Sequence, residues 1–380
     1  MKILIISLQR LPAFGGVNSY VFDLSKQLKK QGHEVELLCG EDINSLPTKQ
    51  MNKVNFFMNA LYKKIPDIPK VLLNYEVGVF AFKELFQNVN MDEYDIVHSQ
   101  DGIVSKAFKT VYPNIPLIGT IHGCFYSELT GLGFKGDVRT EKMFKRYDQW
   151  SVSYPDFIIT PSAYKDNYMP YIPEYKHIVI NHGIDVNTFG SKETTRKINT
   201  LKVCTAGSLH NYKGLDILLK ALRYLENDGL DYVVDIYGDG PERERLESFS
   251  KNNHLMVNFK GSIGREELWG IYSTYDVFVQ PSRVESFGLS VTEAMANMCV
   301  PICSAIGGLQ DQVKDMENGL LFESENSYEL YTKIKLIAYD EKLASRLSLN
   351  ARKAVETKFS IESMCEKTLN AYKNTIASTS

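Results

Sequence analysis

The chain has 380 residues, of which 44% are apolar and 23% are charged, so its composition is that of an ordinary folded protein and excludes a disordered or collagen-like chain. The net charge of −3 divides into +2 for residues 1–200 and −5 for residues 201–380. Neither half is basic enough to predict nucleic acid as the main ligand. Because a usual domain has ~100–200 residues, we expect two domains.

Six scattered cysteines without a CxxC pair predict reduced thiols in a cytoplasmic protein, not a zinc site or a disulfide framework. No stretch reaches the ~18 apolar residues that span a bilayer, so any membrane contact is expected to be peripheral, at the inner face of the cell membrane. The candidate for such contact is a helix in residues 53–70, whose apolar face ends at Lys63 and Lys64. The alternative is that this face packs on the first domain. It comprises Val54, Phe57, Met58 and Leu61.

The first half begins with a continuous apolar run, KILIISL, at residues 2–8, which is typical of a strand buried on both faces of a parallel sheet. A glycine turn follows. Residues 20–32 then have helical periodicity, with Asn18 or Ser19 expected as the cap and Gly32 as the end. Later strands are predicted within 33–40, 95–100, 116–123, 156–162 and 177–183. Alternating strands and helices indicate an α/β doubly wound fold.

A second series of strands follows the polar segment 187–200, which is the predicted linker. We therefore predict two Rossmann-like domains that face a central cleft, over residues 1–190 and 191–360, with the ligand at the carboxyl ends of the strands. The final helix, in residues 361–380, is compatible with either domain. The strands of the second series are expected within 201–208, 232–240, 256–261, 276–282 and 300–305.

The stretch PSRVESFGLSVTEAMA, residues 281–296, is the most informative one. A loop of small residues leads into a helix predicted to start near Ser290, and such a helix N-terminus suits a diphosphate. Glu285 and Glu293 would be repelled by that anion, so they are expected to accept hydrogen bonds from the hydroxyls of a sugar and a ribose. In the alternative interpretation, Ser290 and Glu293 form only a capping box.

Other candidates lie at strand ends. Lys213 follows a strand and a glycine turn, where its ammonium would meet a phosphate, although a lone lysine is more often a solvated surface group. The turn at Gly15, Gly16 and Val17 would let a backbone approach a diphosphate or an acceptor closely. His98 and His122 end successive strands, and packing in the core is the alternative to a role in the cleft. The GxG turn that begins at Gly238 is a weak signal.

Several common catalytic motifs are missing from the sequence. It has no HExxH, CxxC or Asp-x-Asp spacing for a metal, no GxxxxGK[ST] phosphate loop and no GxSxG nucleophile elbow. Lys213 and helix N-termini are therefore expected to neutralise a leaving diphosphate without a metal.

Taken in order, these segments resemble family 4 of the retaining GT-B glycosyltransferases, also called glycosyl transferases group 1. The motifs are GGVNSY, TIHG, INHGID, the KG helix, YGDGP, ESFGLSVTEAMA, GGLQD and NGLLF. The most specific is E-x7-E in a loop followed by a helix. The resemblance implies an acceptor held mainly by the first domain, a nucleotide-sugar donor held mainly by the second, and a C-terminal helix that crosses back to the first.

The resemblance also implies roles for individual residues. The implied catalytic group is His122, Lys213 and Glu285. The implied donor-binding set is Gly16, Ser208, Lys213, Gly238, Ser262, Ile263, Glu285, Ser286, Phe287, Gly288, Leu289 and Glu293. The predicted acceptor contacts are Gly15, Val17 and His98. Neither a metal nor another cofactor is expected, because the nucleotide sugar is a substrate.

Two positions depart from the family pattern. Ser208 stands where the family usually has an arginine, which removes a positive charge from the diphosphate site. Arg283 or His210 would have to substitute, or the protein would be a weak or non-catalytic member. Asn297 and Met298 occupy a turn that usually contains glycine, and Asn is the residue expected to tolerate the left-handed conformation there.

The predicted function is transfer of a sugar, with retention, to a hydroxyl of a glycan, lipid-linked or small-molecule acceptor in glycan or cell-surface polysaccharide biosynthesis. A UDP-sugar is the favoured donor and GDP-mannose the second. By resemblance, the mechanism is front-face substitution, in which the leaving diphosphate helps to take the acceptor proton. The alternatives are a non-catalytic GT-B protein that binds a partner or glycan, and an epimerase, which the motif order disfavours.

Overall fold

A computed structural model of the chain describes residues 1–10, 15–65, 68, 70–127, 137–163, 172–190 and 200–379. Most of the predicted linker, 191–199, lies outside the described residues. The described part forms two parallel six-stranded sheets with helices on both faces. We call each sheet with its helices a lobe. The predicted α/β fold class is thereby confirmed.

In the first lobe the strands lie in the order β2-β1-β3-β4-β5-β6, and every neighbouring pair is parallel. Their bounds are β1 (Lys2–Ser7), β2 (Glu34–Cys39), β3 (Ile96–Ser99), β4 (Leu117–Thr120), β5 (Phe157–Thr160) and β6 (His177–Val179). The helices of this half of the chain are α1 (Gly16–Lys30), α2 (Thr48–Lys64), α3 (Lys70–Phe86), α4 (Gly102–Val111) and α5 (Val138–Ser153).

In the second lobe the order is β12-β11-β10-β7-β8-β9, again parallel. The strands are β7 (Leu201–Ala206), β8 (Tyr232–Tyr237), β9 (Val257–Gly261), β10 (Val277–Gln280), β11 (Val300–Ser304) and β12 (Leu320–Phe322). The helices are α6 (Leu215–Asp228), α7 (Arg243–Asn252), α8 (Arg265–Tyr272), α9 (Leu289–Ala296), α10 (Leu309–Gln312), α11 (Ser327–Tyr339), α12 (Glu341–Lys358) and α13 (Ile361–Thr379). The three-residue β12 is a strand that the sequence did not predict.

Helix α1 begins earlier than expected. Gly15 is its N-cap residue and no side chain caps it, so the predicted cap by Asn18 or Ser19 is wrong. Asn18 is instead a buried residue inside the helix. The earlier start brings Gly16 into the first turn, so the helix N-terminus itself lies at the glycine pair.

Each face of the first sheet is covered by its own apolar core. Helices α2 to α5 cover one face. Phe57 of α2 stacks on Phe80 of α3 with ring centroids 4.6 Å apart, and Val54 is buried. The apolar face of α2 therefore packs on the first lobe, as the alternative interpretation held. Among the described residues, no helix is both long and apolar enough to cross a bilayer.

The other face of the first sheet is covered by α1 together with the C-terminal helix α13. The Ile184 N–H donates to Phe359 O over 2.9 Å, and the Ile361 N–H donates to Ile184 O over 3.0 Å, so the chain is fastened where it enters the helix. The Tyr372 hydroxyl then lies 2.7 Å from Nδ1 of His98 in the core. Helix α13 thus completes the first lobe, although the domain bounds at 190 and 360 stay a prediction.

The turn after α9 differs from the expected one. Met298 has a φ of 62°, whereas Asn297 has a φ of −90°. The left-handed position is therefore one residue later than predicted. Met298 is held there by the burial of its side chain, which offsets the backbone cost of a non-glycine residue.

Two histidines of the first lobe, His98 and His182, are buried, and His122 is half-buried with its Nδ1 shielded from solvent. Burial lowers the pKa of His98 and of His122 to about 3, and it lowers the pKa of His182 well below the usual value. Unfolded histidine has a pKa of about 6.5, so below that pH the unfolded chain binds protons that the folded chain does not. These histidines therefore do not reduce stability above pH 6.5, and they reduce it progressively as the pH falls below that value.

We expect His98→Gln to reduce this acid sensitivity. Each buried neutral histidine should cost about 2 kcal/mol of stability between pH 7.5 and pH 5. Urea unfolding at both pH values should show a loss smaller by about that amount in His98→Gln than in the wild type. The matched control is His254→Asn at an exposed position. An unchanged loss in His98→Gln would contradict the prediction.

Candidate active site

The carboxyl ends of the two sheets face each other across a cavity of about 100 Å³. Residues that follow β4 and β5 line it on one side, and residues that follow β10 and β11 line it on the other. Its lining includes Ile121, Cys124 and Ser162 from the first lobe and Glu285, Ser286 and Gly307 from the second. The cleft thus lies at the carboxyl ends of the strands, as predicted.

Lys213 and Glu285, which are 72 positions apart in the chain, form an ion pair in this cleft, with Nζ 2.7 Å from Oε2. The pair is mostly buried, because the lysine side chain is 20% exposed and the glutamate side chain 12%. The Ser282 hydroxyl lies 3.4 Å from the same carboxylate oxygen. The structure therefore brings together two of the three predicted catalytic groups, and it keeps their opposite charges side by side.

Gly214 makes this placement possible. Its φ of 67° is in the left-handed region, and it is the N-cap residue of α6. A Cβ at this position would lie 1.9 Å from the carbonyl oxygen of Pro281, the residue that begins the Glu285 loop. Glycine therefore lets the Lys213 turn and the Glu285 loop touch along their backbones.

Among the described helices, those that start without a capping side chain include α1, α6, α7, α8, α9 and α10. The glycine turns predicted to meet the donor lead into three of them, α1, α6 and α9, whose N-cap residues are Gly15, Gly214 and Gly288. By contrast, Asp101 and Asp137 cap α4 and α5. The backbone N–H groups of a helix start that lacks a cap are available to an anion, and the helix dipole favours one.

Glu293 does not act as a capping residue. Helix α9 begins at Leu289, so Ser290 lies inside it and the capping-box interpretation is wrong. The Glu293 carboxylate instead accepts a hydrogen bond from Nε of Arg265 at 2.7 Å. Its side chain is 5% exposed, and burial raises its pKa, while the Arg265 guanidinium opposes that rise and favours the carboxylate.

In the ligand-free structure, the polar groups near Ser208 already contact one another or nearby carboxylates. The Ser208 hydroxyl lies 3.3 Å from the hydroxyl of Tyr212. Arg283 is bound to the carboxylates of Asp216 and Glu325, so it is already neutralised. The His210 ring stacks on Tyr212, and burial together with the Lys213 charge lowers its pKa. Substitution of either Arg283 or His210 for the family arginine stays a prediction.

The other predicted donor residues lie on the same edge of the second sheet. Gly238 follows β8, and its N–H donates to Gly261 O at the end of β9 over 2.8 Å. Ser262 and Ile263 come directly after that strand. The side chain of Phe287 is 2% exposed, so its predicted contact with the donor rests on its backbone alone. The role of each of these residues stays a prediction.

His122 lies at the first-lobe side of the cleft. Its Nε2 is 2.8 Å from Oε1 of Gln100, which makes Nε2 the donor and leaves Nδ1 as an acceptor. Among the described residues, that Nδ1 has no hydrogen-bond partner. His122 is neutral, since burial lowers its pKa to about 3. The ring of His182 lies 5.3 Å away, centroid to centroid.

His98 does not lie in the cleft. It is fully buried, and its two ring nitrogens are 2.7 Å from the hydroxyls of Tyr372 and Thr120. No polar atom of the ring is left for an acceptor, so the predicted acceptor contact of His98 is wrong. Gly15, Gly16 and Val17 do lie at the start of α1, where their predicted contacts remain proposals.

Sequence reasoning missed several residues that the fold brings to the cleft. Tyr20 stacks on His182, with ring centroids 4.5 Å apart, and Phe287 of the second lobe touches the same histidine ring at 5.0 Å. Arg265 and Tyr212 were missed too. One signal was available: Gly16, Tyr20 and Asp23 have the spacing of a single helix face. Among the described residues, no group of three His, Cys, Asp or Glu side chains could hold a metal.

We expect Gly214→Ala to destabilise the second lobe by about 2 kcal/mol or more, because the new methyl group would clash with the Pro281 carbonyl in addition to straining the backbone. The matched control is Gly229→Ala, at the other end of α6. Gly229 has nearly the same φ, 65°, but a methyl group there would meet no other atom within 4 Å. Chemical denaturation should show a larger loss for Gly214→Ala, and equal losses would contradict the steric argument.

The chain matches two family models in succession, "Glycosyltransferase Family 4" over residues 14–188 and "Glycosyl transferases group 1" over residues 189–354. It is 27% identical over 369 residues to an uncharacterized glycosyltransferase of Methanocaldococcus jannaschii, which is 95% of each chain. Its fold matches that of sucrose-phosphate synthase from Thermosynechococcus elongatus, with a TM-score of 0.78, 21% identity and 99% of each chain covered. It also matches Anabaena HepE in complex with UDP-glucose, with a TM-score of 0.70, 16% identity and 98% and 99% of the two chains covered. The chain therefore belongs to family 4 of the retaining glycosyltransferases, with the GT-B fold.

Proposed function

We propose that this glycosyltransferase moves a hexose from a UDP-sugar to an acceptor hydroxyl in glycan or cell-surface polysaccharide biosynthesis, without a metal. The observation that carries the proposal is the Lys213–Glu285 ion pair, which lies opposite the ends of β4 and β5. A cation and a hydrogen-bond acceptor side by side are what an anionic diphosphate joined to a neutral sugar requires. The UDP-glucose complex of HepE supports UDP as the nucleotide, and GDP-mannose is the second candidate.

Each group would have a distinct task. Lys213 and the N-terminus of α9 would hold the diphosphate, since both present positive charge to the same loop. Glu285 would accept hydrogen bonds from the sugar hydroxyls, and Glu293 would accept them from the ribose. In the ligand-free structure the Lys213 ammonium is paired with Glu285, so donor binding would redirect that ammonium towards phosphate.

His122 would act as a neutral group near the reacting carbon. Its unpartnered Nδ1 is an acceptor, which suits a hydroxyl of the sugar or of the acceptor. In the proposed front-face mechanism, the leaving diphosphate takes the acceptor proton as the new bond forms. Lys213 and the helix ends would stabilise the charge that develops on that leaving group.

The acceptor would bind at the first lobe, near the start of α1 and the residues after β4. Residues 1–200 have a net charge of only +2, which does not distinguish a glycan, a lipid-linked molecule and a small molecule as the acceptor. We propose a cytoplasmic location with peripheral contact at the inner face of the membrane. Phe56, which is 77% exposed on α2, is one of the exposed apolar side chains that would make such contact.

We expect UDP and UDP-sugars to raise the melting temperature more than GDP or GDP-mannose do. Ligand at one hundred times its Kd stabilises the folded chain by about 2.7 kcal/mol, because it binds only the folded state. Thermal-shift measurements across a panel of nucleotides test this expectation. A larger shift with GDP-mannose would favour GDP-mannose over a UDP-sugar as the donor. No shift with any nucleotide would contradict a donor site.

Slow hydrolysis of the bound donor, measured without an acceptor, separates an enzyme from a non-catalytic GT-B protein. Free sugar should appear with the donor that gives the largest thermal shift. Tight binding without any hydrolysis or transfer would favour the non-catalytic alternative, for which Ser208 is the motivating residue.

We expect Lys213→Ala to lower kcat/KM for the donor by about 10- to 150-fold, because a charge-assisted hydrogen bond to phosphate contributes ~1.5–3 kcal/mol. The matched control is Lys251→Ala on the exposed surface of α7. Circular dichroism should confirm that both variants fold. Wild-type kcat/KM in Lys213→Ala would remove the residue from the proposed site.

A further inference from the structure

One guanidinium joins the two lobes at the proposed ribose site. Nε of Arg265 donates to Oε1 of Glu293 over 2.7 Å, and Nη1 lies 2.8 Å from Oδ2 of Asp23. Arg265 and Glu293 belong to the second lobe, whereas Asp23 is on α1 of the first. All three side chains are largely buried, with exposures of 21% for Arg265, 5% for Glu293 and 17% for Asp23.

The local structure does not favour an arginine at this position. Arg265 is the first residue of α8, where the helix dipole disfavours a cation and favours the acidic residues Glu266 and Glu267 that follow. Its guanidinium lies over the ring of Trp269, with Cζ 4.6 Å from the ring centroid, which fixes its position. The unfavourable interaction of Arg265 with the dipole of α8 is therefore offset by its tertiary contacts with Glu293 and Asp23.

Asp23 lies on the same helix, α1, that begins at the glycine turn of the proposed donor site. It lies seven residues after Gly16 on α1, which is two helical turns on the same face. Tyr20 lies between them on that face and stacks on His182. A displacement of Asp23 relative to the second lobe would therefore move the Gly16 end of α1 as well.

We propose that Arg265 is a positioning residue that orients Glu293 for the ribose and, through Asp23, holds the start of α1 over the donor. The proposal rests on the proposed function, because it assumes that Glu293 binds the ribose. Arg265 then contributes both to binding of the nucleotide and to closure of the two lobes.

The two contacts of Arg265 have separable effects. The contact with Glu293 lies within the second lobe, so its loss should weaken nucleotide binding. The contact with Asp23 lies between the lobes, so its loss should leave nucleotide binding nearly unchanged and lower the rate of transfer. If the salt bridges of Arg265 served only stability, neither the weaker nucleotide binding nor the slower transfer would be seen in folded variants.

The test compares Arg265→Gln with Asp23→Asn in the full chain. Calorimetry with UDP should show at least a tenfold weaker Kd for Arg265→Gln and less than a threefold change for Asp23→Asn. Transfer assays should show a kcat at least tenfold lower for Asp23→Asn. Small-angle scattering with saturating UDP should give a larger radius of gyration for Asp23→Asn than for the wild type.

The matched controls make the same Arg→Gln and Asp→Asn substitutions in ion pairs at the surface. Arg245→Gln breaks the pair with Glu242 on α7, and Asp228→Asn breaks the pair with Lys335. Both should keep wild-type Kd and kcat. Asp23→Glu retains the negative charge and should recover part of kcat, which also covers the case in which Asp23→Asn does not fold.

Wild-type kcat and radius of gyration in a folded Asp23→Asn variant would overturn the inference. An equal loss of UDP affinity in Asp23→Asn and Arg265→Gln would overturn it too, because the two contacts would then not be separable. Failure of the proposed function gives a different result, in which the wild type itself neither binds UDP nor transfers sugar.

Discussion

The ion pair between Lys213 and Glu285 is the interaction on which the cleft depends. It joins the turn after β7 to the loop after β10, and it places a cation inside a half of the chain whose net charge is −5. Overall charge therefore says little about the ligand, because a mostly buried ammonium and the starts of α1, α6 and α9, which lack capping side chains, act at short range. The net negative charge of residues 201–380 is compatible with an anionic substrate for this reason.

The two lobes contribute different chemistry to the cleft. The second lobe supplies fixed charges, in Lys213, Glu285, Glu293 and Arg265. The first supplies one carboxylate, Asp23, and the neutral rings of His122 and His182 together with Tyr20. Burial keeps both imidazoles uncharged, so they offer hydrogen bonds without adding charge near a departing diphosphate. Charge is thus concentrated on the side where the nucleotide is proposed to bind.

Ser208 changes how the diphosphate would be held in this family member. Arg283 is occupied by two carboxylates, and His210 is stacked and neutral. At the proposed diphosphate site, Lys213 would therefore carry more of the neutralising role than it would beside an arginine. Family membership shows a glycosyltransferase.

The sequence by itself determined the α/β class and the two parallel sheets, because hydrophobic periodicity and glycine turns are local signals. It also singled out Lys213 and Glu285, through the motif order that resembles family 4. Only the tertiary structure decided which side chains meet. His98 ends a strand as His122 does, yet α13 covers it and a hydroxyl from that helix occupies its ring nitrogen. Glu293 has capping-box spacing, yet its carboxylate accepts a hydrogen bond from Arg265. Both outcomes depend on residues at least 28 positions away, and contacts at such distances along the chain leave no periodic pattern in the sequence.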